Sequence, residues 1–252
     1  MKELYLDCAM GAAGDMLMAA LYELVEEKEE FLRAFAALKL PGVRLEPQRR
    51  GSGGVEGTHM HVWIDGKEEG HCHHGHDHDH HHEHHEHHAY RDIQALLERL
   101  PISEQVRKDA LAVYGLIAEA ESAAHGVPVT QIHFHEVGQI DAVCDIVGCC
   151  MLLERLAPER VTASAVHVGH GKVRCAHGLL DVPAPATAYL LRGIPTYGGE
   201  VEGELCTPTG AALLRHFVGA FSCPKPERTS AVGVGIGSKA FSRPNCLRAY
   251  LI

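Results

Sequence analysis

The chain has 252 residues, 46% apolar and 22% charged, and no apolar run nears the roughly 20 residues that span a bilayer. That balance excludes a wholly disordered chain and a membrane-spanning one, and the length suffices for one large core or two small ones. The net charge of −10, from 23 basic and 33 acidic residues, argues against a basic nucleic-acid-binding surface.

The apolar run Glu3–Asp7 predicts a strand. Gly11 and Gly14 predict a turn, and Met16, Ala19, Ala20 and Leu24 are spaced for a helix after it. Glu3 and Asp7 break any leader-like apolar stretch, so the expectation is a cytoplasmic protein. Two extended stretches between Val43 and Asp65 flank Gly51, Ser52, Gly53 and Gly54 and predict a β-hairpin. Residues 66–89 lack apolar periodicity and are expected to form an inserted loop, disordered without metal. Helices are expected over Tyr90–Leu100, from an N-cap at Ser103 to about His125, and over Ile140–Leu156, ending before Pro158. After Val161, Gly, Pro and β-branched residues predict alternating strands and short helices. The apolar, strand-like Leu247–Ile252 closes the chain as though a further module follows. The fold class expected is α/β, mixed strands and helices with a helical middle segment and an inserted disordered His-rich loop. Its segments are 1–65 (α/β), 66–89 (His-rich loop), 90–158 (helical) and 159–252 (Gly/Pro-rich α/β).

Twelve of the 21 histidines crowd into one tract: His71, His73, His74, His76, His78, His80, His81, His82, His84, His85, His87 and His88. Residues 66–88 hold one Lys against six carboxylates, which is half of the net charge. With an ordinary pKa of ~6.5, imidazole is mostly neutral at pH 7 and suits nickel, copper and zinc, and interleaved acids deepen the negative potential. The tract is therefore read as a metal collector. An affinity tag is terminal and uniform, and this segment is neither. A loose tract suits storage and hand-over rather than the fixed open coordination of catalysis. The nine Cys, odd in number and without a CxxC, fit reduced thiols better than a disulfide framework or zinc ribbon.

HFHEVG, at His133–Gly138, enters the helix that carries Asp141 and Asp145. On an extended segment His133 and His135 face the same way, while Asp141 and Asp145, four apart, share a helix face. With Glu136 they make a compact candidate for a metal or acid/base site, against a plainer reading as surface and capping groups. Neither HExxH nor the zinc-deaminase pattern is met. DCAMGAAGD puts Asp7 at a strand end and Gly11, Gly14 and Asp15 around a helix N-terminus, where N–H groups attract anions. Thr207, Thr209 and Gly210 of TPTGAA open a helix in the same way, and capping alone also explains each motif. The Lys-Ser/Thr of a P-loop is missing. His177 stands beside a Pro-rich segment whose plain reading is a turn, and GVGIGS near Gly235 lacks a strand-turn-helix unit and is discounted.

Taken in order, LYLDCAMGAAGDMLMAAL, the internal His tract, HFHEVGQIDAVCDIVG, HGLLDVPAPAT, ELCTPTGAALL and RPNCLRAYL resemble the LarC nickel insertion proteins of nickel-pincer cofactor biosynthesis, over nearly the whole chain. The resemblance implies a lyase-class nickel insertase that places Ni²⁺ in pyridinium-3,5-bisthiocarboxylic acid mononucleotide, using CTP with a divalent metal. One Ni–C and two Ni–S bonds form, giving the cofactor of lactate racemase and related enzymes. On that footing the His tract collects Ni²⁺. His133, His135, Glu136, Asp141 and Asp145 orient the ion or remove the ring proton, and the helix N-termini near Gly14 and Thr207 hold the substrate phosphate. Family members are commonly longer and carry a C-terminal module linked to nucleotide binding, so the expectation is a truncated or split protein; a homo-oligomer stays open. Two alternatives also stand. One is a non-enzymatic nickel store or carrier; the other is a metal-dependent hydrolase, since His133-x-His135 is similar to the strand-borne metal pairs of amidohydrolases.

Overall fold

The structure is a computed structural model that describes residues 2–68, 88–134, 137–175 and 178–252, without the side chains of 67, 68 and 88. The His tract from His71 to His87, and with it the expectation of metal-dependent order there, lies outside the described residues, as do His135, Glu136 and His177.

The fold is mixed α/β, as expected. One sheet takes strands from distant parts of the chain: β1 (Glu3–Asp7), β2 (Val43–Ser52), β3 (Val55–Ile64) and the strands Arg160–Ala163, Ala231–Ile236 and Cys246–Leu251. The order runs from β2 to β3, then Ala231–Ile236, Cys246–Leu251, β1 and Arg160–Ala163. The joints of β3 with Ala231–Ile236 and of β1 with Arg160–Ala163 are parallel, and the other three are antiparallel. Cys246–Leu251 is apolar because it lies inside the sheet, paired on both edges, with Leu247 and Ala249 buried. The β2–β3 hairpin closes at Ser52 opposite Val55, and Gly53 (φ +54°) and Gly54 (φ +84°) take the two left-handed positions of its tight turn.

Helix α1 (Gly14–Leu24) is buried almost all round because it lies between the sheet and α5 (Ile140–Leu156). Between them in sequence come α2 (Lys28–Ala36), α3 (Tyr90–Arg99) and α4 (Glu104–His125). Ser103 caps α4 by accepting the Val106 N–H at 3.0 Å, and Gly126 (φ +68°) ends it, where the sequence placed both limits. The short helices α6 (Pro185–Leu190) and α7 (Pro208–Phe217) pack on α4. Helix α2 has no counterpart among the predicted elements: Phe31 and Phe35 point inward one turn apart, but the charged run around them conceals the stripe. The described ends of the inserted segment are also more regular than expected. Lys67–Glu68 pairs with β3, and His88–Ala89 pairs with His133–Phe134. Among the described residues, no helix is long and apolar enough to cross a membrane.

Candidate functional site

A cavity of ≈ 210 Å³ opens where the N-termini of α1 and α7 meet the first turns of α5, strand β3 and the segment after Ala231–Ile236. Backbone bonds draw the two helix N-termini together: Ala12 donates to Leu205 O at 3.1 Å, and Thr207 donates to Ala12 O at 3.0 Å. Two glycines singled out in the sequence allow this approach. A Cβ on Gly11 (φ +74°) would sit 2.0 Å from Leu205 O, and one on Gly210 would sit 2.1 Å from Ala12 O. Thr207 then caps α7, its Oγ1 accepting from Gly210 N–H at 3.2 Å and lying 3.0 Å from Thr209 Oγ1.

Asp145 and Asp141 come down from α5 onto the start of α1. Gly14 makes room, since a Cβ there would lie 2.5 Å from Asp145 Oδ2. The Asp145 carboxyl is buried, and its Oδ1 has no hydrogen-bond partner among the described residues. Burial pushes its pKa well above the usual carboxylate range, the charges of Asp15 and Asp141 push the same way, and the Asp15 backbone N–H opposes them. Burial also raises Asp15, against the pull of His59 and of the Met16 N–H, which donates to Asp15 Oδ1 at 2.8 Å.

The base facing these acids is His59 on β3. Its Nδ1 lies 2.7 Å from Ile236 O, and because a carbonyl only accepts, Nδ1 carries the proton and Nε2 the lone pair of the neutral ring. Burial lowers the His59 pKa, which the Ile236 carbonyl and Asp15 partly offset. His61, two residues on and on the same strand face, meets His59 edge-on with ring centroids 4.4 Å apart and holds Gln48 Oε1 at 2.8 Å through Nε2. Lys239 Nζ lies 3.8 Å from Glu204 Oε2, and both residues line the cavity.

Of the residues picked out in the sequence, Gly14, Asp15, Asp141, Asp145, Thr207 and Thr209 line this one cavity. His133 is not in the lining: it is exposed on the two-residue strand paired with Ala89, and its expected partners His135 and Glu136 lie outside the described residues. Asp7 also lies outside the lining, its Oδ1 accepting the Ala9 N–H at 3.1 Å. Gly11 and Gly210 serve the backbone fit, and the backbone of His88 belongs to a short strand. The motifs read from the sequence do not single out His59, His61, Glu204 or Lys239, which line the cavity as well. The signal for the first two was present in THMHVWID, the same His-x-His alternation credited at His133. Among the described residues, no group of three or more His, Cys, Asp or Glu is arranged to hold a metal ion. The chemistry this cavity can do is proton transfer, between a neutral imidazole and carboxyls whose hold on a proton burial strengthens.

The model of the nickel insertion protein family matches residues 4–252. Over 249 residues the chain is 43% identical to the pyridinium-3,5-bisthiocarboxylic acid mononucleotide nickel insertion protein of Desulfitobacterium hafniense, covering 98% of this chain and 58% of that one. It is 38% identical over 248 residues to the protein of the same name from Staphylococcus epidermidis, again with 98% and 58% covered. The chain therefore spans under two thirds of the length of these curated relatives. No solved structure matches it.

Proposed function

We propose, since this chain belongs to the nickel insertion protein family, that it takes part in placing nickel in pyridinium-3,5-bisthiocarboxylic acid mononucleotide and that the cavity between Asp15, His59 and Asp145 receives the precursor ring. The observation carrying this reading is that the buried Asp145 carboxyl, one oxygen of which has no partner among the described residues, shares the cavity with a neutral imidazole. A pyridinium ring whose two thiocarboxylate sulfurs hold Ni²⁺ bears one net positive charge. Asp15, Asp141, Asp145 and Glu204 line a pocket suited to such a cation. Forming the Ni–C bond replaces a ring C–H: the C–H electron pair becomes the Ni–C bond, and the proton leaves to the protein. His59 Nε2 takes that proton, and Asp15 stabilises the imidazolium formed. The substrate sulfurs hold the metal, so the protein's part is a proton acceptor and a charge-matched wall rather than a metal cage.

The histidines of residues 71–88 supply nickel to this site, and the product serves nickel-pincer enzymes such as lactate racemase in the cytoplasm. The carboxylate-lined cavity does not fit a triphosphate, and no Lys-Ser/Thr follows Gly14; no step here runs through CTP, whose use we assign to a module outside these residues. Incubating the chain and that module with Ni²⁺, CTP and precursor tests the reading. Wild type yields the nickel-pincer product, and His59→Gln yields little while taking up as much nickel. Product formed by His59→Gln at the wild-type rate would overturn it.

A further inference from the structure

A second cleft, of ≈ 390 Å³, lies between the end of β2 and the loop following Ala231–Ile236. Arg50, Lys239 and Arg243 line it, and among its described lining residues there is no Asp or Glu. The loop is fastened in place. Asn245 N–H donates to Ser52 Oγ at 3.1 Å, Asn245 Nδ2 donates to Lys239 O at 2.8 Å, and Gly237 N–H donates to Asn245 O at 3.0 Å. Gly53 brings the hairpin turn onto it, since a Cβ there would be 2.8 Å from Pro244 Cγ. The cleft adjoins the carboxylate cavity: Gly237, Ser238, Lys239 and Phe241 belong to the walls of both. Lys239 stands at the junction, where its charge favours the ionised form of Asp15 and Glu204 Oε2 lies 3.8 Å from its Nζ. Cations thus flank one side of a wall whose other side is anionic.

We propose that this cleft seats a phosphate ester dianion, that of the mononucleotide precursor, while the adjoining cavity takes the ring. The inference rests on the function proposed above and adds the site of the phosphate. The sequence suggested the helix N-termini at Gly14 and Thr207 for that group, but Asp15, Asp141, Asp145 and Glu204 line the cavity there and repel a dianion, whereas Arg50 and Arg243 offer forked donors that match phosphate oxygens. A substrate with a cationic ring and an anionic tail is complementary to the two cavities together and to neither alone.

Titration calorimetry with the full chain tests this, using precursor, its dephosphorylated nucleoside, CTP and inorganic phosphate as separate probes. Arg50→Gln and Arg243→Gln should each weaken precursor binding about tenfold, leave nucleoside binding unchanged and flatten the dependence of precursor affinity on salt. Arg243 is exposed and Arg50 half-buried, and Tm identical to wild type shows that the variants fold. Unchanged precursor affinity in the double variant overturns the assignment, and so does a loss confined to CTP. Should wild type bind no precursor at all, the reading of the carboxylate cavity fails on its own. Inorganic phosphate then still reports on the cleft, through ³¹P line broadening that must be present in wild type and absent in the double variant.

Discussion

Asp145 is destabilising where it stands. Its carboxyl is buried with one oxygen unpartnered among the described residues, and Asp15 and Asp141 add like charge, so it holds a proton more tightly folded than unfolded. The resulting contribution to stability is complete below the unfolded carboxylate pKa of ~3.9 and is lost as pH rises toward the raised folded value. Asp145→Asn keeps the shape and removes the ionisation. Its Tm should exceed that of wild type at neutral pH, the gain shrinking toward pH ~4, while cofactor formation falls. Melting curves at the two pH values check this, and an equal gain at both would locate the effect elsewhere than in the titration. His59 has the opposite sign. Its pKa is lowered, so stability from the neutral ring is present above ~6.5 and lost as pH falls through the folded value. A pH–rate profile should accordingly place the acid limb of insertion below ~6.5; a limb at or above that value contradicts His59 as the proton acceptor. At this scale the sequence showed what spacing alone encodes, the Asp141/Asp145 helix face and the two helix starts. It did not show the pairing of α5 with β3 across α1, and so left His59 as one polar residue of a hairpin.

The element that decides the site's geometry is the contact of α1 with the strand Ala231–Ile236. Gly235 and Gly233 face the helix backbone one turn apart: a Cβ on Gly235 would lie 1.8 Å from Met16 O, and one on Gly233 would lie 2.0 Å from Ala20 O. Two strand residues advance about as far as one helical turn, so a Gly-x-Gly strand gives an α-helix two successive seats. GVGIGS is therefore a packing motif, and its resemblance to a nucleotide loop is coincidental. Gly235→Ala must push α1 away, costing about 1–3 kcal/mol of stability and moving Asp15, the neighbour of Met16. Urea unfolding should show the lowered midpoint, and precursor affinity should fall with it. Gly115 supplies the contrast. It lies inside α4, a Cβ there would meet only Tyr90 Oη at 3.5 Å, and Gly115→Ala should stabilise by about 0.5–1 kcal/mol through helix propensity. The same unfolding assay reads both signs. Elements with local punctuation, the Gly53-Gly54 hairpin and the Ser103 to Gly126 helix, were legible in sequence; α2 was not, because a nine-residue helix with two inward Phe gives too short a period against a charged background.

Across the whole molecule, chemistry is divided between a composition and a geometry. The sheet joins β1 to residues 160–163 and 246–251, pairings with no local signature, so the meeting of α1, α5 and α7 over one cavity was beyond a reading of the chain by segments. The His tract, conversely, is legible in composition alone. Deleting residues 71–87 keeps the His88–Ala89 strand that pairs with His133–Phe134, and keeps every described residue that lines the two cavities. Shortening the connection between Glu68 and His88 changes chain entropy only slightly, so Tm and precursor affinity should match wild type while bound nickel falls to a small fraction. Metal analysis after dialysis and calorimetry with the precursor measure these two quantities. The decisive contrast is the dependence on nickel supply. If the tract raises local nickel for a separate insertion site, the deleted protein forms cofactor at the wild-type rate once free nickel is abundant and lags only when it is scarce, because a tethered reservoir adds effective concentration and no chemistry. A chain that merely stores nickel gives the other result, no cofactor from either protein however much nickel is added.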